Sequence, residues 1–316
     1  MPITVKELLD ERSLALKADT GRVGLSKEIS TPRIQKPGLL LTGLLEELHP
    51  DRVQIFGAAE IGYLTSLDQD GRALSLKILE EAEIAAIIVT RGIEAPDFLL
   101  DLTRRKQIPV LSTQLTSSIL IERLIRFLED RLAPTTTMHG VLADVLGIGT
   151  LILGKSGIGK SECALDLVSR GYRLVADDAV IVKRLSTATL FGSSSGITRY
   201  HMEVRGVGII NVKDLFGITA IRERKQMDLV VELVDWDPKG DYERLGFEDK
   251  TRDILGVDLP YFQIPVSPGR SVATIVEVAA RNQVLKIMGY RPGTELEKRL
   301  RAKLHDPEKT GGSRRP

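Results

Sequence analysis

Cysteine is almost missing from this sequence, Cys163 being the only one. An internal disulfide framework is therefore excluded, and a reducing compartment, the cytoplasm, is the expected address. An excess of either charge is missing too, with 44 basic residues against 43 acidic ones. No global field points to DNA, RNA or an anionic membrane, so any partner must be recognised locally. Aromatic residues make up only 4% of the chain, and none are interleaved with a basic patch in the manner of a nucleic-acid surface. Long apolar runs are absent: nothing approaches the roughly 20 residues that a membrane span needs. The start, Met1-Pro2-Ile3-Thr4-Val5-Lys6-Glu7, lacks a basic segment followed by an apolar core, so a soluble protein is expected. No internal repeat is found.

What is present reads as two domains, since 316 residues exceed one ordinary core. Apolar spacing predicts helices over residues 3–10, 39–48, 73–83, 96–105 and 117–132. Between them Val53-Gln54-Ile55-Phe56, Ala86-Ile87-Ile88-Val89 and Ile108-Pro109-Val110-Leu111 read as short buried strands. Alternation of this kind implies a parallel sheet with crossover helices, a small α/β domain over 1–133. It ends at Ala133-Pro134-Thr135-Thr136-Thr137, where proline stops a helix and threonine suits extended chain. A second, strand-rich domain is expected over 134–304. Its strands are predicted at 141–145, 149–153, 173–176, 179–182, 208–212, 229–234 and 274–278, with helices over 161–170 and 295–304. The tail 305–316 is nearly devoid of apolar residues and is expected to be disordered.

The chemistry starts at Gly154-Lys155-Ser156-Gly157-Ile158-Gly159-Lys160-Ser161, a full phosphate-binding loop between a predicted strand and a predicted helix. The glycines let backbone N–H groups turn inward around a phosphate, and the helix start aims its positive end there. Lys160 reaches the β and γ oxygens and Ser161 offers a hydroxyl to Mg²⁺. Nucleotide binding follows, but the loop alone does not separate kinase from ATPase or GTPase.

Phosphoryl transfer also needs a further metal ligand, an acceptor base and cations. Leu174-Val175-Ala176-Asp177-Asp178 ends an apolar strand on two carboxylates, where a buried sheet delivers acid to a phosphate site. One can serve metal or water, the other the acceptor hydroxyl. Leu229-Val230-Val231-Glu232-Leu233-Val234-Asp235 is a second acidic strand whose carboxylates read equally well as structural. His139-Gly140 stands just before the predicted first strand of the second domain. Glu203-Val204-Arg205-Gly206 leads into an apolar strand, a composition that suits a metal-ligating carboxylate. Arg244 and Arg270 lie in glycine-containing loops from which arginine can clamp phosphate. Cys163 reads as a packing residue.

Taken together, His139-Gly140-Val141, the loop 154–161, Val175-Ala176-Asp177-Asp178, residues 203–212, Tyr242-Glu243-Arg244-Leu245-Gly246 and residues 265–270 resemble the bifunctional HPr kinase/phosphorylase family. Val53-Gln54-Ile55-Phe56-Gly57 and Glu60-Ile61-Gly62-Tyr63-Leu64 extend the likeness to the first half. The resemblance implies an α/β N-terminal domain and a C-terminal P-loop kinase domain. It implies an ATP-dependent serine kinase of the phosphocarrier HPr, which also removes that phosphate with inorganic phosphate and releases pyrophosphate. On matching positions Asp178 would be the reversible acid/base, His139, Lys160 and Arg244 would position and neutralise phosphates, and Ser161 and Glu203 would hold Mg²⁺. A cytoplasmic homohexamer is implied as well. One departure is visible: Ser267 and Ser271 stand where the family usually has a basic residue and an asparagine, which implies a weaker grip on inorganic phosphate. Two other readings stay open on the residues alone: a kinase of another acceptor, and a nucleotide sensor without turnover.

Overall fold

The computed structural model describes residues 2–43, 48–186, 188–196, 198–237, 250–290 and 298–299. The chain divides into two units, Met1–Ala133 and Pro134–Pro316. Among the described residues no helix is long and apolar enough to cross a membrane.

The first unit begins with strand β1 (Ile3–Thr4) and helix α1 (Val5–Leu9). Thr4 and Glu7 close a reciprocal capping box at its start, satisfying amides that the first turn leaves without a partner. Then come β2 (Leu16–Ala18), β3 (Glu28–Ile29), β4 (Ile34–Gln35), α2 (Gly38–Leu41), β5 (Val53–Phe56), α3 (Ala58–Ser66) and α4 (Gln69–Glu81). The unit closes with β6 (Ala86–Val89), α5 (Asp97–Arg105), β7 (Val110–Thr113) and α6 (Ser117–Leu132). The sheet runs β2-β7-β6-β5-β4, parallel from β4 to β7, with β2 antiparallel on the edge. Strands β5 and β6 are buried at every position, as a parallel sheet covered on both faces requires. Phe56, Ile87 and Val89 pack on α3, α4 and α5, while Val53, Ile55 and Ile88 pack on α1 and α6. The helix expected over 39–48 is described only as α2, residues 44–47 lying outside the described ones. Strand β7 starts at Val110 rather than Ile108.

The second unit opens with β8 (Thr135–His139), β9 (Val141–Val145), β10 (Ile148–Gly154), α7 (Lys160–Ser169), β11 (Arg173–Ala176), β12 (Ala179–Ser186) and β13 (Thr189–Ser194). It continues with β14 (His201–Val204), β15 (Gly208–Asn211), α8 (Val212–Phe216), β16 (Arg224–Gln226), β17 (Leu229–Asp235), β18 (Thr251–Ile254), β19 (Val257–Val266) and α9 (Val272–Ile287). A mixed sheet, β11-β9-β10-β17-β19-β18, holds β10, β17 and β19 in parallel. Helices α7 and α9 cover one of its faces through Cys163, Ala164, Leu167, Ala273, Val276 and Ala280. The other face, with Leu142, Leu151 and Val175, packs on Val180, Val182 and Leu190 of an antiparallel sheet ordered β16-β13-β12-β8. The layers are thus helix, sheet and sheet.

The strand expected at 274–278 is a correction, because these residues lie inside α9. Thr274, Ile275, Val276 and Val278 favour strand by propensity. The Ser271 hydroxyl caps the helix by accepting the Thr274 amide, and Ala273, Val276, Ala280 and Gln283 form its buried stripe, a helical period that outweighs local preference. The helix expected over 295–304 falls within the described residues only at Lys298 and Arg299, and the tail 305–316 lies outside them.

Candidate functional site

Strand β10 delivers Gly154 to the sheet edge, and the phosphate loop turns there into α7. Gly154 has φ +141°, and a Cβ on it would stand 2.6 Å from the carbonyl oxygen of Leu233 on the neighbouring strand. Only glycine fits this close approach. Lys160 begins the helix, is only 7% exposed, and donates from Nζ to the carbonyls of Gly154 and Lys155, each at 3.0 Å. The ammonium is thereby held inside the loop. Ser161, one residue on, donates from Oγ to both carboxylate oxygens of Asp177 at 3.0 and 3.2 Å.

Asp177 and Asp178 form the turn between β11 and β12, and the turn separates them. Asp177 is 5% exposed and also accepts the backbone N–H of Glu203 at 3.3 Å. Burial pushes its carboxyl above the ordinary range, the hydrogen bonds from Ser161 and Glu203 pull the other way, and neighbouring Asp178 adds to the rise. Asp178 is 72% exposed, and its Oδ1 lies 2.9 Å from Nδ1 of His139. Its backbone is left-handed, φ +67°, at the apex of a turn closed by the Ala179 N–H donating to the Asp177 carbonyl at 2.8 Å. Aspartate tolerates that conformation better than most residues, and strain of this kind gathers at functional sites. Register brings the histidine there: β8 pairs β12 with His139 opposite Ala179. His139 therefore ends the first strand of the second unit, where the sequence reading set it before that strand. Gly140 lets the chain pass beneath, since a Cβ there would lie 2.7 Å from the Ile152 carbonyl oxygen.

These groups share one cleft of about 250 Å³, lined by His139, Ser156, Gly157, Gly159, Lys160, Ser161, Asp177, Asp178 and Glu203. Glu162 and Arg205 line it as well. Arg205 stood in a segment singled out for its charges and glycines, yet nothing in its local pattern set it apart from a surface arginine. Lys155 and Ile158 do not line the cleft by side chain: Lys155 pairs with Asp235 at the end of β17, and Ile158 is buried in the core. Glu232 accepts the Tyr261 hydroxyl and Arg252, so the second acidic strand spends both carboxylates on structure. Arg244 lies outside the described residues. Ser271 caps α9. Cys163 is buried against α7's neighbours and its thiol is pushed up to about 12 by that burial, a packing residue.

The donor set suits a small hard cation. The Ser161 hydroxyl and the Asp177 carboxylate are in contact, and Glu203 lines the same cleft. Mg²⁺ takes one or two carboxylates together with phosphate oxygens and retained waters. Among the described residues no group of three or more His, Cys, Asp or Glu forms a ready-made cage, so the protein would supply only part of the coordination shell.

Two family models match the chain, the HPr Serine kinase N terminus over residues 3–128 and the HPr Serine kinase C-terminal domain over residues 130–300. Among curated proteins, the HPr kinase/phosphorylase of Geobacter sulfurreducens is 51% identical over 304 residues, covering 96% of this chain and 95% of that protein. That of Leptospira biflexa is 44% identical over 301 residues, 94% of each. A solved structure of the HPr(Ser) kinase/phosphatase from Coxiella burnetii is 31% identical, with a TM-score of 0.46 over 54% of this chain and 99% of that one.

Proposed function

This chain belongs to the HPr serine kinase family, and on that premise we propose that it transfers the γ-phosphoryl group of ATP to a serine of HPr and catalyses the phosphate-dependent reverse. The observation that carries this reading is the meeting, in one cleft, of Lys160 and Ser161 from the phosphate loop with a carboxylate outside it, Asp178, held by His139.

Phosphoryl transfer asks mainly for positioning and charge neutralisation. Backbone N–H groups of residues 155–160 cradle the polyphosphate, and Lys160 exchanges its carbonyl partners for β and γ oxygens. Ser161, Asp177 and Glu203 would hold Mg²⁺, which when bound draws charge from those oxygens. His139 fixes Asp178 at the cleft mouth. In the forward direction the serine oxygen bonds to the γ-phosphorus as the bond to ADP breaks, and Asp178 receives the hydroxyl proton. In the reverse direction inorganic phosphate attacks the phosphoserine, Asp178 returns the proton to the departing serine oxygen, and pyrophosphate leaves. Arg244 adds a cation in this scheme. The same reading takes the working form to be a cytoplasmic homohexamer, measurable by light scattering.

The test is transfer of labelled γ-phosphate from ATP to purified HPr with Mg²⁺, comparing the parent protein with Lys160→Met and Asp178→Asn. Transfer to serine that both changes suppress by roughly 10²-fold or more supports the assignment. Nucleotide binding without transfer to HPr would overturn the acceptor, and full activity in Asp178→Asn would overturn the base.

A further inference from the structure

The sheet of the first unit opens a crevice that the transfer reaction does not use. Strands β6 and β7 run parallel with Val89 opposite Ser112, so their carboxyl ends lie at the same edge of the sheet. The chain after β6 crosses to α5, which packs with Ile87 and Val89 on one face. The chain after β7 goes to α6, which packs with Ile88 and Leu111 on the other face. The two connections thus part to opposite sides, and in an open α/β sheet such a parting leaves the gap in which a ligand sits. Both connections are tied at their base: the Arg91 N–H donates to the Leu115 carbonyl at 2.8 Å and the Gly92 N–H to the Thr113 carbonyl at 2.9 Å. Gly92 has φ +63°, and a Cβ on it would stand 2.3 Å from Gln114 Oε1, so glycine lets the Gln114 amide lie across the turn.

The gap is a cavity of about 620 Å³, within the range of sites that take small molecules. Ile93, Ala95 and Leu100 on one side and Ala15 and Ala18 on the other give it apolar walls. Its charged side chains are Asp19, Glu94 and Asp97 against Lys17 alone. Asp19 Oδ1 accepts the Ser112 hydroxyl at 2.8 Å, and among the described residues none of the four charged groups forms an ion pair. Three carboxylates to one ammonium repel phosphates and other anions and favour a cation. That cation is not a bare metal ion, since among the described residues no three acidic or imidazole groups stand close enough to hold one. Carboxylates spread along apolar walls instead suit a charge carried on a carbon chain. We propose that this crevice binds a small aliphatic amine, its ammonium facing the carboxylates of Asp19, Glu94 and Asp97 and its chain lying on Ile93 and Leu100. The inference does not rest on the transfer reaction proposed above.

The experiment titrates the full chain by calorimetry, at low salt and without Mg²⁺, with putrescine, with lysine and with inorganic phosphate as the anionic control. Saturable binding of putrescine or lysine with a Kd of about 1 mM or tighter is expected. Asp19→Asn, which keeps an oxygen for the Ser112 hydroxyl, is expected to weaken that binding at least about tenfold, the size of one lost charge-assisted hydrogen bond. The two outer carboxylates are exposed and count for less, so Glu94→Gln combined with Asp97→Asn is expected to weaken it roughly threefold. This pair also serves as the readout if Asp19→Asn fails to fold, because neither side chain is buried. No saturation by either amine up to about 10 mM would overturn the proposal. So would amine binding that is unchanged in the folded variants, which would place the ligand elsewhere on the chain, or phosphate binding that is lost in the same variants, which would make the crevice an anion site.

Discussion

Replacing Asp177 by asparagine is expected to stabilise the protein while removing its activity. The carboxylate is 5% exposed; burial and the neighbouring Asp178 work against its charge, and hydrogen bonds from Ser161 and Glu203 favour it. Burial raises its pKa, which means the ionised form fits the folded chain less well than the unfolded one. The penalty is absent below the unfolded value, grows as pH rises through it towards the raised folded value, and is complete above both. Asparagine escapes it and keeps one carbonyl oxygen to accept the Ser161 hydroxyl and the Glu203 amide. Only the charge-assisted part of those two bonds is lost, and the direction of the shift says that burial already outweighs it. The gain at pH near 8 is expected to be about 1 kcal/mol, typical of relieving a functional compromise. That amounts to about 2–4 °C in Tm for a unit of this size. Thermal unfolding without Mg²⁺, near pH 8 and near pH 3, checks it, and the advantage should vanish at the acid end, below the unfolded value. Phosphoryl transfer should fall by roughly 10²–10³ in the same variant, as when one preorganised charge is removed. An asparagine variant that melts below the parent near pH 8 would refute the claim that this carboxylate is buried at a cost.

Three further changes probe the frame around the site. Gly140→Ala sets a methyl 2.7 Å from the Ile152 carbonyl oxygen and 2.9 Å from Leu153 Cδ2; it should cost about 1–3 kcal/mol in urea unfolding and lower transfer by displacing His139. Leu167→Ala opens a cavity where α7 packs on the sheet, at a fully buried position, and should lower stability by about 2–5 kcal/mol with the slope of the denaturant curve unchanged. Lys160→Met removes the two bonds to the loop carbonyls; calorimetry should find ATP binding weakened at least about tenfold, the value of one hydrogen bond to a charged group.

The parts of this molecule that could be read from sequence are those whose cause is local. The phosphate loop announces itself because its glycines, lysine and serine must occur at fixed spacing on one strand-to-helix turn. Strand β6 could be read because burial on both faces demands uninterrupted apolar residues, β5 because Val53, Ile55 and Phe56 leave only Gln54 polar, and α6 because its buried Leu120, Leu124 and Leu128 repeat every four. Helix α9 misled because Thr274, Ile275, Val276 and Val278 crowd β-branched residues into its first two turns, while its buried stripe, Ala273, Val276, Ala280 and Gln283, follows a helical period. Lys155 misled differently. It stands inside the loop motif, yet its side chain is claimed by Asp235, a residue that only the parallel pairing of β10 with β17 brings near.

The two adjacent aspartates mark the limit most sharply. In sequence they are equivalent, and the apolar strand before them says only that acid arrives at a sheet edge. Which one faces the loop helix and which stands exposed beside His139 goes with the left-handed turn at Asp178 and with the pairing of β8 with β12, His139 and Ala179 being in register though 40 residues apart. That turn gives Asp177 to Ser161 in a buried setting and leaves Asp178 exposed against a histidine. One carboxylate is thereby suited to share a cation with a hydroxyl, the other to move a proton in contact with solvent. The division of labour between two residues of one type is thus set by backbone conformation and strand register.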